Sequence, residues 1–224
     1  SYAVKLEILR SMMMGTDVII IDPEREYQHL AEAVGGTYID ISLNSDSKVN
    51  PFDLPRTVGE GTNTSDVIRS AVITLKGLVR LMLGDVSNKE KGEQALTNEE
   101  DSIIDRALLE TYAKKDITAS SDLSTIKSPL MQDFQEILEG MEGATNLVAR
   151  LKKFTEGTFS GLLNDPTNVD INNQLVIFSV RDLEDELRPM AVYTIVNYIW
   201  NIVRSSLKKR VLVVDEAWWL MQHE

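Results

Sequence analysis

The sequence predicts an α/β fold in which a parallel sheet is interrupted by a block of helices. Three observations carry that prediction. Residues 1–42 read helix, strand, helix, strand, the repeat of a parallel sheet with crossover helices. The runs VIII (18–21), QLVIFSV (174–180) and VLVV (211–214) show little or no polar alternation, the pattern of strands covered on both faces. Between the first and second of these runs, residues 65–155 carry almost only helical periodicity. With 224 residues the chain has room for a core domain and an inserted one. The expected division is 1–58 for the first part of the core, 59–155 for an all-α insertion and 156–224 for the second part of the core.

SYAVKLEILRSMMM (1–14) sets Val4, Ile8 and Ser11 or Met12 on one helical face, and Gly15 closes it. After VIII, Asp22-Pro23 predicts a helix start, with Asp22 as N-cap, Pro23 at the first position and Glu24 and Glu26 in the first turn. Tyr27, Leu30, Ala31 and Val34 form its apolar stripe, and Gly35-Gly36 ends it. TYIDIS (37–42) is a second strand, NPFDLP (50–55) is extended, and GEGTNTS (59–65) is a polar loop. Val67, Ala71, Leu75, Leu78, Val79 and Met82 stripe one inserted helix. Ile103, Ile104, Ala107, Leu108 and Thr111 stripe another, after the start signal Thr97-Asn98-Glu99-Glu100. Shorter helices are expected near 129–139 and 143–154. A long one is expected over 186–206, with Leu187, Ala191, Ile195, Tyr198 and Ile202 on one side and Pro189 near its start.

Composition narrows the function classes. A formal net charge of −12 does not favour a protein that grips nucleic acid over a broad surface, though it leaves room for a local basic pore. There is no cysteine, hence no disulfide and no thiolate metal site, which fits a reducing cytosol. His29 and His223 lie too far apart in sequence to suggest a histidine metal site. No apolar run approaches the ~18 residues of a spanning helix.

The most informative stretch is VLVVDEAWWL (211–220), an apolar strand ending in two adjacent acids, Asp215 and Glu216. This is the Walker B pattern of P-loop ATPases. The first acid holds the Mg²⁺ that bridges nucleotide phosphates, directly or through water, and the second polarises the attacking water. The plainer alternative makes Asp215 a helix cap and Glu216 a first-turn acid, but capping needs neither a second acid nor a uniformly apolar strand. Trp218 and Trp219 read as packing residues.

A Walker B calls for the loop G-x-x-x-x-G-K-[ST], and no stretch of this sequence ends in Gly-Lys-Ser/Thr. Ser1, however, leads straight into a helix that feeds a parallel strand, as the residue after Gly-Lys does in such a loop. The expectation is therefore that the sequence begins at the last residue of the loop, with Gly-Lys just upstream. Without the Lys and the loop amides, the chain as written should hydrolyse ATP poorly or not at all.

SYAVKLEILR, DVIIIDPEREY, NPFDL, RLKKFTEGTFSGLLNDPTNVD with QLVIFSVRDLEDELRPMAVYTIVNYIW, and VLVVDEAWWLM together resemble the conjugal-transfer ATPases of the TraC/TrbE type, the Vir-type ATPases of type IV secretion. The resemblance covers nearly the whole chain in order. It implies a RecA-like P-loop core with an all-α insertion, and ATP and Mg²⁺ as cofactors. It also implies a homo-oligomer, often a hexamer, at the cytoplasmic side of a bacterial inner membrane, working with other inner-membrane components of the secretion channel. Carried over residue by residue, Glu216 is the catalytic carboxylate and Asp215 holds Mg²⁺ through water. Ser1 is the hydroxyl ligand of Mg²⁺, and the Tyr2 backbone lies near the phosphates at a helix N-terminus. The family's sensor glutamine and arginine would fall after Glu224.

Other constellations have two readings each. Asp22 and Glu24 end a strand where α/β sheets place ligands, and helix initiation alone also explains them. Arg181, with Asp182 after the QLVIFSV strand, is a nucleotide sensor or part of a surface ion pair. Arg150, Lys152 and Lys153 meet phosphate or form a solvated helix face. GTFSG (157–161) reads as a flexible loop near the centre of the oligomer, and Met12-Met13-Met14 as adaptable core. The leading functional reading is an ATPase driving assembly or transfer in a secretion or conjugation machine. The alternatives are a DNA-translocating motor of the HerA/FtsK type and a non-catalytic scaffold with a degenerate nucleotide site.

Overall fold

Strand β1 (Asp17–Asp22) shows why an unbroken apolar run is needed. Val18, Ile19, Ile20 and Ile21 are all 3% exposed or less, so both faces of this strand are covered. β2 (Thr37–Asp40), β3 (Leu175–Ser179) and β4 (Arg210–Val214) join it in a four-stranded sheet of order β2-β3-β1-β4, with every pairing parallel. The computed structural model describes residues 2–56, 63–84, 96–206 and 208–217. The register aligns the strand ends: Asp22 lies opposite Ser179, Ser179 opposite Asp40, and Ile21 opposite Val214.

Alternation along the strands assigns two faces. Val18, Ile20, Leu175 and Ile177 pack with Ile8, Tyr27 and Ala31 under α1 (Tyr2–Met13) and α2 (Gln28–Val34). Ile19, Ile21, Val176 and Phe178 point the other way, into a larger core. That core is closed by α3 (Thr64–Leu83), α4 (Asn98–Lys114), α5 (Met131–Glu139), α6 (Thr145–Thr155), the single turn α7 (Ser160–Leu163) and α8 (Arg188–Ser205).

Sequence signals set the ends of the long helices. Asn63 accepts from the Ser65 amide at the start of α3, and Thr97 and Glu100 form a reciprocal capping box at α4. Each such cap contributes about 1 kcal/mol. Pro189 sits in the first turn of α8, where its missing amide costs nothing. The NPFDLP segment is tied between the helices by buried polar groups. Asn50 donates to the Pro129 carbonyl (2.9 Å) and accepts from the Phe52 amide (3.0 Å), while the Tyr112 hydroxyl donates to the Phe52 carbonyl (3.0 Å).

Three expectations need correction. The helix after β1 begins at Gln28, not at Pro23. Arg25 has φ +60°, which no α-helix accommodates, and Asp22 bonds amides four and five residues ahead instead of the first-turn amides of a cap. Met13 and Met14 are 86% and 82% exposed, because α1 ends at Met13 and the chain turns away through Gly15. Of that cluster, only Met12 packs against the core. GTFSG is not a loose loop: Lys48 donates to the Gly161 carbonyl, and a Cβ at Gly161 would collide with the Leu43 backbone at 2.5 Å. Among the described residues β4 comes last in the strand order, with Val211 40% and Leu212 44% exposed.

Candidate functional site at the carboxyl edge of the sheet

In an all-parallel sheet every strand delivers its C-terminal residue to the same edge, and ligands collect there. Here that edge receives Asp22, Ser179, Asp40 and the pair Asp215-Glu216. The Asp215 amide donates to the Ile21 carbonyl (3.1 Å), which extends the β1–β4 ladder by one step and fixes Asp215 beside Asp22. Val213 packs on the α1/α2 face and Val214 on the other, so alternation sends Asp215 towards the α1/α2 side. Glu216 then adopts φ +49° and stands exposed, its amide donating to Asp215 Oδ1 at 3.1 Å. A left-handed non-glycine residue costs about 1 kcal/mol or more, and such positions concentrate where geometry serves function. Of the three among the described residues, Arg25 and Glu216 both lie on this edge.

Asp22 is fully buried. Its two carboxylate oxygens accept from the amides of Glu26 (3.0 Å) and Tyr27 (2.9 Å), so it organises the turn after β1. Glu24 is exposed, and its carbonyl accepts from Arg181 at 3.1 Å. Asp182 pairs with Arg25, not with its neighbour Arg181, and Arg25 also reaches Asp40 at 3.4 Å. The hydrogen bond to Asp182, then the nearby Tyr38, holds the Arg25 guanidinium charged well beyond its ordinary range. Arg188 closes the loop after β3 by donating to the carbonyls of Arg181 and Leu183. One arginine, Arg25, therefore joins the ends of three strands, which no local sequence signal announces.

α1 runs antiparallel to β1, since a short turn at Gly15 joins them, so its N-terminus returns to this same edge. Lys5 makes the connection visible: it donates to the Glu26 carbonyl (2.7 Å) and lies 5.2 Å from the Tyr27 ring centre. Tyr2 opens α1 and is 79% exposed. Ser1 lies outside the described residues, as do Trp218, Trp219 and His223.

Two buried hydroxyls at this edge, those of Tyr27 and Ser179, make no hydrogen bond of good geometry among the described residues. In the sequence Tyr27 is one more residue of a helix stripe, and nothing in the periodicity distinguishes it. Burial first, then the neighbouring Asp215 carboxylate, pushes its phenol pKa up, so it stays protonated at any ordinary pH.

A divalent cation suits this arrangement in one form. No group of three or more acidic or histidine side chains gathers among the described residues. A lone half-buried carboxylate beside a helix N-terminus matches Mg²⁺ held by one side chain, water and phosphate oxygens, in place of an all-protein cage. A cleft of about 490 Å³ runs instead along β2, at the other end of the strand order from β4. Asp46 and Asp170 line it and no basic residue does, which makes it unsuited to a phosphate ligand. Of the remaining candidates, Lys153 pairs with Glu186 and lies over Phe154 and Phe159, and Lys152 reaches Glu156 at 4.0 Å, as expected of a solvated helix face.

Known proteins share this fold. The TraG P-loop domain family matches residues 2–224. VirB4 of Thermoanaerobacter pseudethanolicus superposes with a TM-score of 0.82 at 29% identity, covering 98% of this chain and 81% of that one. The type IV secretion system protein CagE of Helicobacter pylori is 24% identical over 195 residues, which is 83% of this chain. The chain spans only 19% of the length of that relative. An α/β fold is thus shared over almost the whole chain, and the chain belongs to the TraG P-loop domain family, among the type IV secretion and conjugation ATPases of the VirB4/TraC kind.

Proposed function

We propose that this chain is part of the nucleotide-hydrolysing core of a type IV secretion or conjugation motor, in which ATP hydrolysis by the intact protein energises pilus assembly or substrate transfer. The observation that carries the reading is convergence: Asp215 and the N-terminus of α1 meet at one edge and on one face of the sheet. A helix N-terminus offers unpaired amides to phosphate, and an acid at the adjacent strand end offers a carboxylate to the cation that accompanies it. In this reading Asp215 holds Mg²⁺ through water, and the Ser1 hydroxyl and Tyr2 amide face the phosphates. Bound Mg²⁺ would neutralise the charge that develops on the phosphate oxygens. Glu216, exposed one residue beyond, accepts a proton from the attacking water and orients it towards the γ-phosphorus. Glu24 and Arg181, joined across the loops after β1 and β3, lie where nucleotide or a neighbouring subunit would approach. Asp22 serves from below by holding the turn.

The same reading makes the working form a homo-oligomer on the cytoplasmic face of an inner membrane, associated with other channel components. No helix of the described residues is long and apolar enough to cross a membrane. The acidic balance does not favour nucleic acid as the primary ligand.

Mg²⁺-dependent ATP hydrolysis by the full-length protein, measured beside Glu216→Gln, tests the proposal. The expected result is turnover by wild type, with the variant binding ATP but losing most of its rate. Equal rates in both, or no nucleotide binding by either, would return the acid pair to a structural role.

A further inference from the structure

Tyr27 is the largest side chain among the described residues with no solvent exposure, and its hydroxyl makes no hydrogen bond of good geometry among them, although the Asp215 carboxylate is near enough to act on it as an acceptor. A buried donor left unpaired costs about 1–3 kcal/mol, which a leucine or phenylalanine would avoid. The surrounding structure nevertheless fixes the residue from several sides. Its amide is held at 2.9 Å by Asp22 Oδ2, the turn before it is bridged by Arg25 to Asp182, and its ring lies beneath Lys5 of α1. Asp22 and Asp215 are neighbours across the β1–β4 pairing, and both project to the α1/α2 side. The phenol thus shares the α1/α2 side with the acid proposed to hold Mg²⁺, packed in one cluster with Val213, and Asp215 acts on it as both acceptor and charge.

We propose that Tyr27 is a positioning residue for Asp215: when Mg²⁺ and nucleotide occupy the site, its hydroxyl donates to the Asp215 carboxylate oxygen turned away from the cation, fixing the rotamer and aiming the other oxygen outwards. The inference rests on the reading of Asp215 given above. A carboxylate that holds the cation's water through one oxygen keeps lone pairs on the other, and a donor behind it reduces the freedom lost on binding. The Glu216 amide already engages Oδ1, so a second donor from below would leave the group a single orientation. Asp22 connects the two acids structurally, since the amide it captures is that of Tyr27 itself. The apolar alternative, in which Tyr27 only fills the α1/α2 core, predicts that the hydroxyl is dispensable.

Tyr27→Phe removes the hydroxyl and keeps the ring, so the fold should persist with an unchanged or slightly higher Tm. The measurement is binding of a non-hydrolysable ATP analogue to the full-length protein by calorimetry while Mg²⁺ is titrated. The Mg²⁺ midpoint should rise ~10-fold in Tyr27→Phe, the lower end of the effect of a residue that supports a metal ligand. In hydrolysis assays kcat at saturating Mg²⁺ should stay near that of wild type. In the Asp215→Asn background the Tyr27→Phe change should add nothing, because the two act as one unit. An unchanged midpoint in Tyr27→Phe beside a shifted one in Asp215→Asn would overturn this inference alone. An unchanged midpoint in Asp215→Asn would overturn the assignment of Asp215, and this inference with it.

Discussion

Asp22 and Asp215 end adjacent parallel strands of nearly the same composition, VIIID and VLVVD, yet their carboxylates have opposite fates. Asp22 is fully buried with both oxygens taken by main-chain amides, while Asp215 is half-exposed and stands beside a left-handed Glu216. The difference lies in the turn after each strand. Beyond Asp22 the chain bends back over its own acid through Pro23, Glu24 and Arg25, delivering two amides to it. Beyond Asp215 it bends outward and delivers one, from Glu216. A hydrophobic strand ending in Asp is therefore a weak signal of chemistry by itself, and the second acid and the turn that displays it are what separate the two.

The largest expected effect tests the exposed tip. Glu216→Gln in the full-length protein should lower the rate of ATP hydrolysis ~10²–10⁴-fold, the range for loss of a general base, with an unaltered thermal melt. Asp22→Ala should do the reverse and show itself in stability. It strands two buried amides that had charge-assisted bonds, and denaturant unfolding should register a loss of about 3 kcal/mol, against under ~1 kcal/mol for Asp215→Ala. Equal losses at the two positions would erase the contrast between the two strand ends.

A third aspartate sharpens it. Asp101 on α4 is held by cations, not amides: Lys76 at 2.9 Å and Arg80 at 2.8 Å, with its side chain 20% exposed. Burial alone would raise its pKa, but the two cations outweigh burial and bring it below the ordinary carboxylate value. A group whose pKa is lowered on folding contributes stability above its unfolded pKa and loses it as pH falls through the folded value. Asp101→Asn should thus cost about 1–2 kcal/mol at neutral pH. The gap to wild type should close as the solution is taken below pH ~3.9, the unfolded reference. A gap that persists in acid would mean that packing, not charge, holds α3 to α4 there. The smallest effect belongs to Arg25→Met. Its pairing with Asp182 has side chains 33% and 48% exposed, so thermal unfolding should change by under ~1 kcal/mol, and high salt should weaken the wild type towards the variant.

Much of the architecture is legible in residue pattern. Unbroken β-branched runs locate β1 and β3, the box of Thr97 and Glu100 locates the start of α4, and Pro189 marks the start of α8. The start of α2 is not legible, because Asp-Pro is equally good at opening a helix and a turn. Only the positive φ at Arg25 and the reach of Asp22 to more distant amides distinguish them. In the candidate site, VLVVDE points to Asp215 and Glu216, whereas Tyr27 and Arg25 carry no local mark of their place beside them.

The sequence by itself determined the kind of protein: hydrophobic periodicity forces alternating strands and helices, and VLVVDE places two acids at a strand end whatever surrounds them. Tertiary structure alone decided which side chains share that end. Arg25 meets Asp40 and Asp182, the latter 157 residues away, and Tyr27 comes within reach of Asp215, because parallel pairing in the order β2-β3-β1-β4 brings distant strand ends to one edge. Local propensity acts over a few residues, whereas strand order is set by the burial of two whole faces, and only the second can assemble a site from separate loops.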